Sequence, residues 1–194
     1  MAEQNFDMNE LKASLGKIFE NAEVEQVTSE GSGFENLKDG YYLSAIEKVE
    51  LKPSKKGQPM FQFTFSVIQD GLATNISETG DIELVPVKSS KGRKIFKFYP
   101  FSPEDARSTK QFTSDMLKFS DDEGNPVLID AETVKAYFMN PDTIDEALEA
   151  VTGLFIYIHL ETRENKNEPG TTSQWGSLVS WKRAAQLELP DYEG

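Results

Sequence analysis

Residues 60–69, MFQFTFSVIQ, decide the fold. Phe61, Phe63, Phe65 and Val67 fall on one face of an extended chain, and Gln62, Thr64 and Ser66 on the other. That two-residue period marks a half-buried strand. Upstream, Tyr41 to Lys52 alternates less regularly, with Leu43, Ala45, Val49 and Leu51 on one side and Tyr42, Ser44, Ile46 and Lys48 on the other. Asp39-Gly40 opens this segment, and residues 53–59, PSKKGQP, separate it from the next with turn-forming residues. The two runs therefore read as a hairpin with a basic loop. Leu72 to Val87 is strand-like but irregular, and Pro86 points to an edge. Arg93 to Phe101 reads as a further strand, with Phe96 and Phe98 expected inward and Lys97 and Tyr99 outward.

Ser102-Pro103-Glu104-Asp105 then has the marks of a helix start: a Ser cap, Pro at the first position and acids in the first turn. That helix is expected to reach about Phe119, with two more over 131–139 and 141–151. Leu154 to Leu160 is a continuous apolar run of strand length, expected to be buried on both faces, and Trp175 to Trp181 is a last strand. Three strands, a helical connection and two strands is the order of a mainly β, five-stranded Greek-key barrel of the oligonucleotide/oligosaccharide-binding (OB) type. Its helical insertion, about 102–151, lies between strands 3 and 4. The expected domain is 34–186. It is preceded by a helical arm and linker over 1–33, where Leu11, Leu15, Ile18 and Phe19 keep helical spacing, and followed by an acidic tail over 187–194.

Composition narrows the chemistry. The 194 residues contain no cysteine and one histidine, His159, which leaves no thiolate metal site, no cysteine nucleophile and no multi-histidine zinc site. His159 sits in the apolar run and reads as a core residue. Asp121-Asp122-Glu123 lacks the spacing of a calcium loop, and no phosphate-cradling Gly-rich motif is present. No catalytic residue, metal or cofactor is expected. No stretch has the apolar length of a membrane span, and the N-terminal sequence lacks the pattern of a signal peptide, so a cytoplasmic protein is expected.

The net charge of −13 would repel a polyanion if it were spread evenly. It is not. Residues 1–50 carry eleven acids and 101–150 carry twelve, each against four bases. Residues 51–69 have no acid and hold Lys52, Lys55 and Lys56. Residues 84–103 have none and hold Lys88, Lys91, Arg93, Lys94 and Lys97. An OB barrel binds its ligand across strands 2–3 and the loops joining strands 1–2 and 4–5, which is where these stretches fall. The expected partner is a nucleic-acid single strand, with the basic side chains on phosphates. Tyr42, Tyr99, Trp175 and Trp181 are the candidate surfaces for base stacking.

One stretch resembles a known family. Phe34-Glu35-Asn36-Leu37-Lys38-Asp39-Gly40-Tyr41-Tyr42, then Ile46-Glu47-Lys48-Val49-Glu50, then Lys56-Gly57-Gln58-Pro59-Met60 resembles bacteriophage proteins thought to bind single-stranded DNA. The resemblance covers about Phe34 to Val67. It implies a non-catalytic, sequence-independent single-stranded DNA-binding protein acting in phage DNA replication or recombination, in the cytoplasm of the infected host. The tail residues Leu189, Pro190, Asp191, Tyr192 and Glu193 loosely resemble the acidic, partner-recruiting tails of bacterial single-strand binders, which implies docking of replication or recombination proteins. The apolar stripe of the N-terminal helix suggests self-association. The competing readings are a phage structural or assembly protein with a β-barrel, which needs no positive groove, and a metal-dependent nuclease using the carboxylates.

Overall fold

A computed structural model describes residues 36–55, 58–77, 79–101, 106–138, 143–165 and 168–192. The helical arm read at 1–33, Lys56 and Glu193 lie outside the described residues. The compact unit that holds the described elements begins at Leu37. Its strands are β1 (Gly40–Pro53), β2 (Pro59–Val67), β3 (Gly71–Ile76), β4 (Ile82–Val87), β5 (Lys94–Pro100), β6 (Phe155–Glu164) and β7 (Thr172–Val179). Its helices are α1 (Ala106–Met116), α2 (Ala131–Phe138), α3 (Ile144–Ala150) and α4 (Trp181–Gln186).

All the strands join one antiparallel sheet built around β1. One edge of β1 pairs with β2 along Ser44–Pro53 and with β3 at Gly40 and Tyr41; the other pairs with β6 along Gly40–Ala45. From β1 the sheet runs through β2 to β5, through β3 to β4, and through β6 to β7. Among the described residues no ladder joins β5 to β7, so the sheet is open there.

The expected mainly β architecture is present, with helices between the fifth and sixth strands. The expected count of five strands is short by two. Residues 71–87 form a complete hairpin, β3–β4, because Ser77 and Asp81 close a tight turn in the middle of that irregular stretch. Pro86 does lie on an edge strand, since β4 pairs with β3 alone among the described strands. Trp181 does not belong to the last strand. Ser180 caps α4 by accepting a hydrogen bond from the Arg183 amide, and Trp181 becomes its first residue.

Phe61, Phe63 and Phe65 point from β2 into the main core. Helix α1 covers them with Phe112 and Met116, and Phe119 follows just beyond its end. The Phe63 ring lies 5.5 Å from Tyr99, 5.9 Å from Phe65 and 6.3 Å from both Phe112 and Phe119. Val134 and Phe138 of α2 and Ala147 of α3 complete this side. A second, smaller cluster joins Leu43, Tyr157, Ala184 and Leu189. Ile156, Tyr157 and Ile158 are consecutively buried, as the unbroken apolar run predicts.

The C-terminal tail is docked through Tyr192. Leu189 is buried, the Tyr157 hydroxyl donates to the Pro190 carbonyl at 2.6 Å, and Tyr192 packs on Phe155 at 5.3 Å. The residues read as an acidic tail are thus packed on the domain as far as Tyr192. Leu187 and Leu189 are apolar, and the cluster on the far face of β6 needs them more than solvent does.

Two local devices fix the start of β1. Gly71 backs onto the Tyr42 ring so closely that a Cβ there would lie 2.3 Å from a ring carbon. The Asp39 carboxylate accepts from the Thr162 amide at 2.7 Å, the Thr162 hydroxyl at 2.8 Å and the Gln174 amide at 3.1 Å. Burial alone would raise its pKa; these hydrogen bonds outweigh burial and hold it below the ordinary 3.8. Gly71→Ala should cost about 1–3 kcal/mol, read as a lower urea midpoint. Because the folded pKa of Asp39 is depressed, its contribution is complete above the unfolded value and is lost as pH falls through the folded one. Asp39→Asn should be less stable at pH 7 and show a flatter loss of stability below about pH 4, measured by denaturation across pH.

Candidate functional site

Antiparallel register sorts the side chains of β1, β2 and β5 into two faces. Phe61, Phe63 and Phe65 stand opposite Tyr99, Lys97 and Ile95, so those six share the core face. Between them, Gln62 stands opposite Phe98 and Thr64 opposite Phe96. Phe96 and Phe98 are therefore turned outward, 53% and 51% exposed. This reverses the expected phase of the strand, in which the two Phe were core and Lys97 and Tyr99 were surface.

The partial burial of Lys97 has a specific cause. Asp115 on α1 is buried and gathers three partners: Lys118 at 2.8 Å, the Tyr99 hydroxyl at 2.8 Å and Lys97 at 3.8 Å. Lys97 also donates to the Gly176 carbonyl at 2.9 Å, and Lys118 to the Leu178 carbonyl at 3.1 Å. The two lysines thus stretch from the β5 side to the backbone of β7 where no ladder joins those strands. Burial pulls the Lys97 ammonium below its ordinary pKa, with the Asp115 carboxylate opposing that shift, and burial raises Tyr99 well above the usual phenol value. Tyr42, the other tyrosine expected to stack, is fully buried, donates to the Lys38 carbonyl at 2.7 Å and is pushed up to about 12 by burial.

The outer face reads in rows across β1, β2 and β5. Lys52 stands with Met60 and Pro100, Glu50 with Gln62 and Phe98, Lys48 with Thr64 and Phe96, and Ala45 with Ser66 and Lys94. A β-bulge between Ile46 and Lys48 leaves Glu47 as the extra residue, and it pairs with Lys94. At about 3.3 Å per residue, Lys94 to Pro100 spans roughly 20 Å, with the two Phe in the middle.

Of the expected phosphate contacts, Lys52 and Lys94 lie on this face. Lys55 is exposed in the turn between β1 and β2, while Lys88, Lys91 and Arg93 occupy the approach to β5. The Asp70 carboxylate organises that approach by accepting from the amides of Ser90 at 2.9 Å and Lys91 at 3.0 Å. The two basic segments thus bracket the aromatic pair from opposite ends of the hairpin register.

Trp175 is 59% exposed. It points away from the core, because the adjacent Gly176 turns inward against Ile158 and Leu160. The Lys97–Gly176 bond links β5 to β7 next to Trp175. Trp181 is half-buried at the start of α4. Its ring lies 5.2 Å from Tyr157 and rests against Gly124. His159 is half-buried and stacks on Tyr41 at 4.4 Å. At the β5 edge a cavity of about 240 Å³ is lined by Lys97, Phe98, Tyr99, Arg107 and Gln111.

Sequence reasoning missed Phe96, Phe98, Lys48, Gln62 and Thr64. A signal existed: Arg93–Phe101 has apolar residues in both phases, so one apolar set had to be exposed unless a second layer covered it. Residues 24–77 are similar to a family described as a protein of unknown function, DUF669. No curated protein matches the chain.

Asp115→Ala should destabilise the fold by about 2–4 kcal/mol, because it leaves the partly buried Lys97 and Lys118 ammonium groups and the buried Tyr99 hydroxyl without their shared carboxylate. Adding Lys97→Met should recover part of that loss, and urea denaturation of both variants checks it.

Proposed function

We propose that this chain is a non-catalytic protein that binds single-stranded nucleic acid across the outer face of β1, β2 and β5. The observation that carries the reading is the half-exposed pair Phe96 and Phe98, set two residues apart on one face between Lys52 and Lys94. Two rings spaced by about 6.6 Å along a strand offer successive stacking platforms to an extended oligonucleotide. Gln62 and Thr64 beside them supply hydrogen-bonding groups, and the flanking lysines meet phosphates. Stacking on aromatic side chains is tolerant of base identity, which suits binding without sequence preference.

The finer architecture follows the same reading. We take β1, β2, β5, β6 and β7 as the five strands of a partly open OB barrel, with β3–β4 an inserted hairpin and α1–α3 the insertion between strands 3 and 4. The outer face of β2 and β5 is then the face across which such barrels bind. The resemblance of Phe34–Val67 to phage single-stranded DNA-binding proteins supports DNA as the strand, replication or recombination as its setting and the cytoplasm of an infected host as its place. Among the described residues, no helix is long and apolar enough to cross a membrane.

Anisotropy titration of labelled oligo-dT at low salt tests the proposal, with duplex DNA and RNA alongside. Phe96→Ala/Phe98→Ala should weaken oligo-dT binding roughly 25-fold or more, from about 1 kcal/mol or more per lost platform. Its melting temperature should stay near that of the parent, since both rings are half in water. Equal affinity for duplex, or an unchanged double variant, would remove the interface.

A further inference from the structure

The lysines of the outer face are already engaged by carboxylates of the same face. Glu50 stands between Lys48 and Lys52, with contacts of 2.7 Å and 2.8 Å, and Glu47 pairs with Lys94. Hydrogen bonds from Lys48 and Lys52 hold the Glu50 carboxyl below its ordinary pKa, so it is ionised at neutral pH. Three lysines therefore face two fixed negative charges, each carboxylate in direct contact with its own lysine or lysines and so well inside the roughly 8–10 Å Debye length of ordinary buffers.

We propose that Glu47 and Glu50 are built-in competitors for the phosphate sites, lowering the affinity of the face for a single strand and making that affinity less sensitive to salt. This rests on the binding reading above. A phosphate that takes Lys94 or Lys52 must displace a protein carboxylate. The displaced carboxylate then gathers a cation from solution, which cancels part of the cation release from the nucleic acid. Only about one net positive charge of the face is left to drive binding. Glu47 is the extra residue of a bulge, which aims an acid at Lys94 without disturbing the Phe96 and Phe98 register. The consequence is a face that holds bases by stacking and gives up phosphates readily. Such a protein would let a strand be handed on instead of locking it.

The test is a salt series of oligo-dT titrations on the parent, Glu47→Gln, Glu50→Gln and the double variant. Glu146→Gln/Glu149→Gln, two exposed acids of α3, serves as a control for bulk charge. Each net positive charge freed should steepen the slope of log K against log salt by about 0.7. The double variant should therefore steepen by about 1.4 and bind about twentyfold tighter at 0.1 M salt, converging with the parent near 1 M. The control should track the parent. If the parent binds and the double variant shows the same slope and affinity, or the control tightens as much, the competition is overturned while the interface stands. If the parent fails to bind, or the Phe96/Phe98 variant binds like the parent, the interface falls and the competition falls with it.

Discussion

The pairing of Phe63 with Lys97 across β2 and β5 governs the rest of the molecule. Once β2 commits Phe61, Phe63 and Phe65 to the interior, its antiparallel neighbour must place every second residue there as well. That turns a partly buried lysine toward the aromatic core and expels two phenylalanines to the surface. The first outcome is tolerable only because α1 carries Asp115 on its apolar stripe with Phe112 and Met116. The second creates the surface on which the functional reading turns. The cost and the function come from one register, and a slip of one residue would exchange them.

The charge cluster around Asp115 also accounts for how an open sheet stays together. Strands β5 and β7 each have an unladdered edge among the described residues, and exposed edges invite pairing with other chains. Here Lys97 and Lys118 send their ammonium groups to the carbonyls of Gly176 and Leu178, so side chains replace the missing ladder. Removing Asp115 takes the shared partner from both lysines and from Tyr99, which is why such clusters act as a unit.

Much of the frame was legible from residues 60–69 outward: the first hairpin, the doubly buried run at 154–160 and the helices between them followed from periodicity and turn chemistry. The site was less legible. Arg93–Phe101 has two candidate inner faces, Ile95 with Tyr99 or Phe96 with Phe98, and local patterning favours the second by bulk and by keeping a lysine outside. The deciding partner, Asp115, lies eighteen residues away on a helix. An acid in phase with Phe112 and Met116 was a clue to a buried cation, and it was not used. The packing of the tail was not legible either: its acids drew the reading, whereas Leu187 and Leu189 tie it to the cluster beside Tyr157. Trp181 was assigned to a strand because the Ser180 cap that ends the strand was read as part of it.

The two tryptophans sit in opposite environments, one ring more than half in water and the other against Gly124 and Tyr157. Their emission therefore divides by colour and by access to a soluble quencher such as acrylamide. The long-wavelength, quencher-accessible fraction belongs to Trp175 and reports on the exposed side of β7. The shorter-wavelength fraction belongs to Trp181 and reports on whether the chain's last helix stays seated. The molecule thus carries its own pair of optical probes, and no dye is needed to tell occupancy of the surface from loosening of the fold.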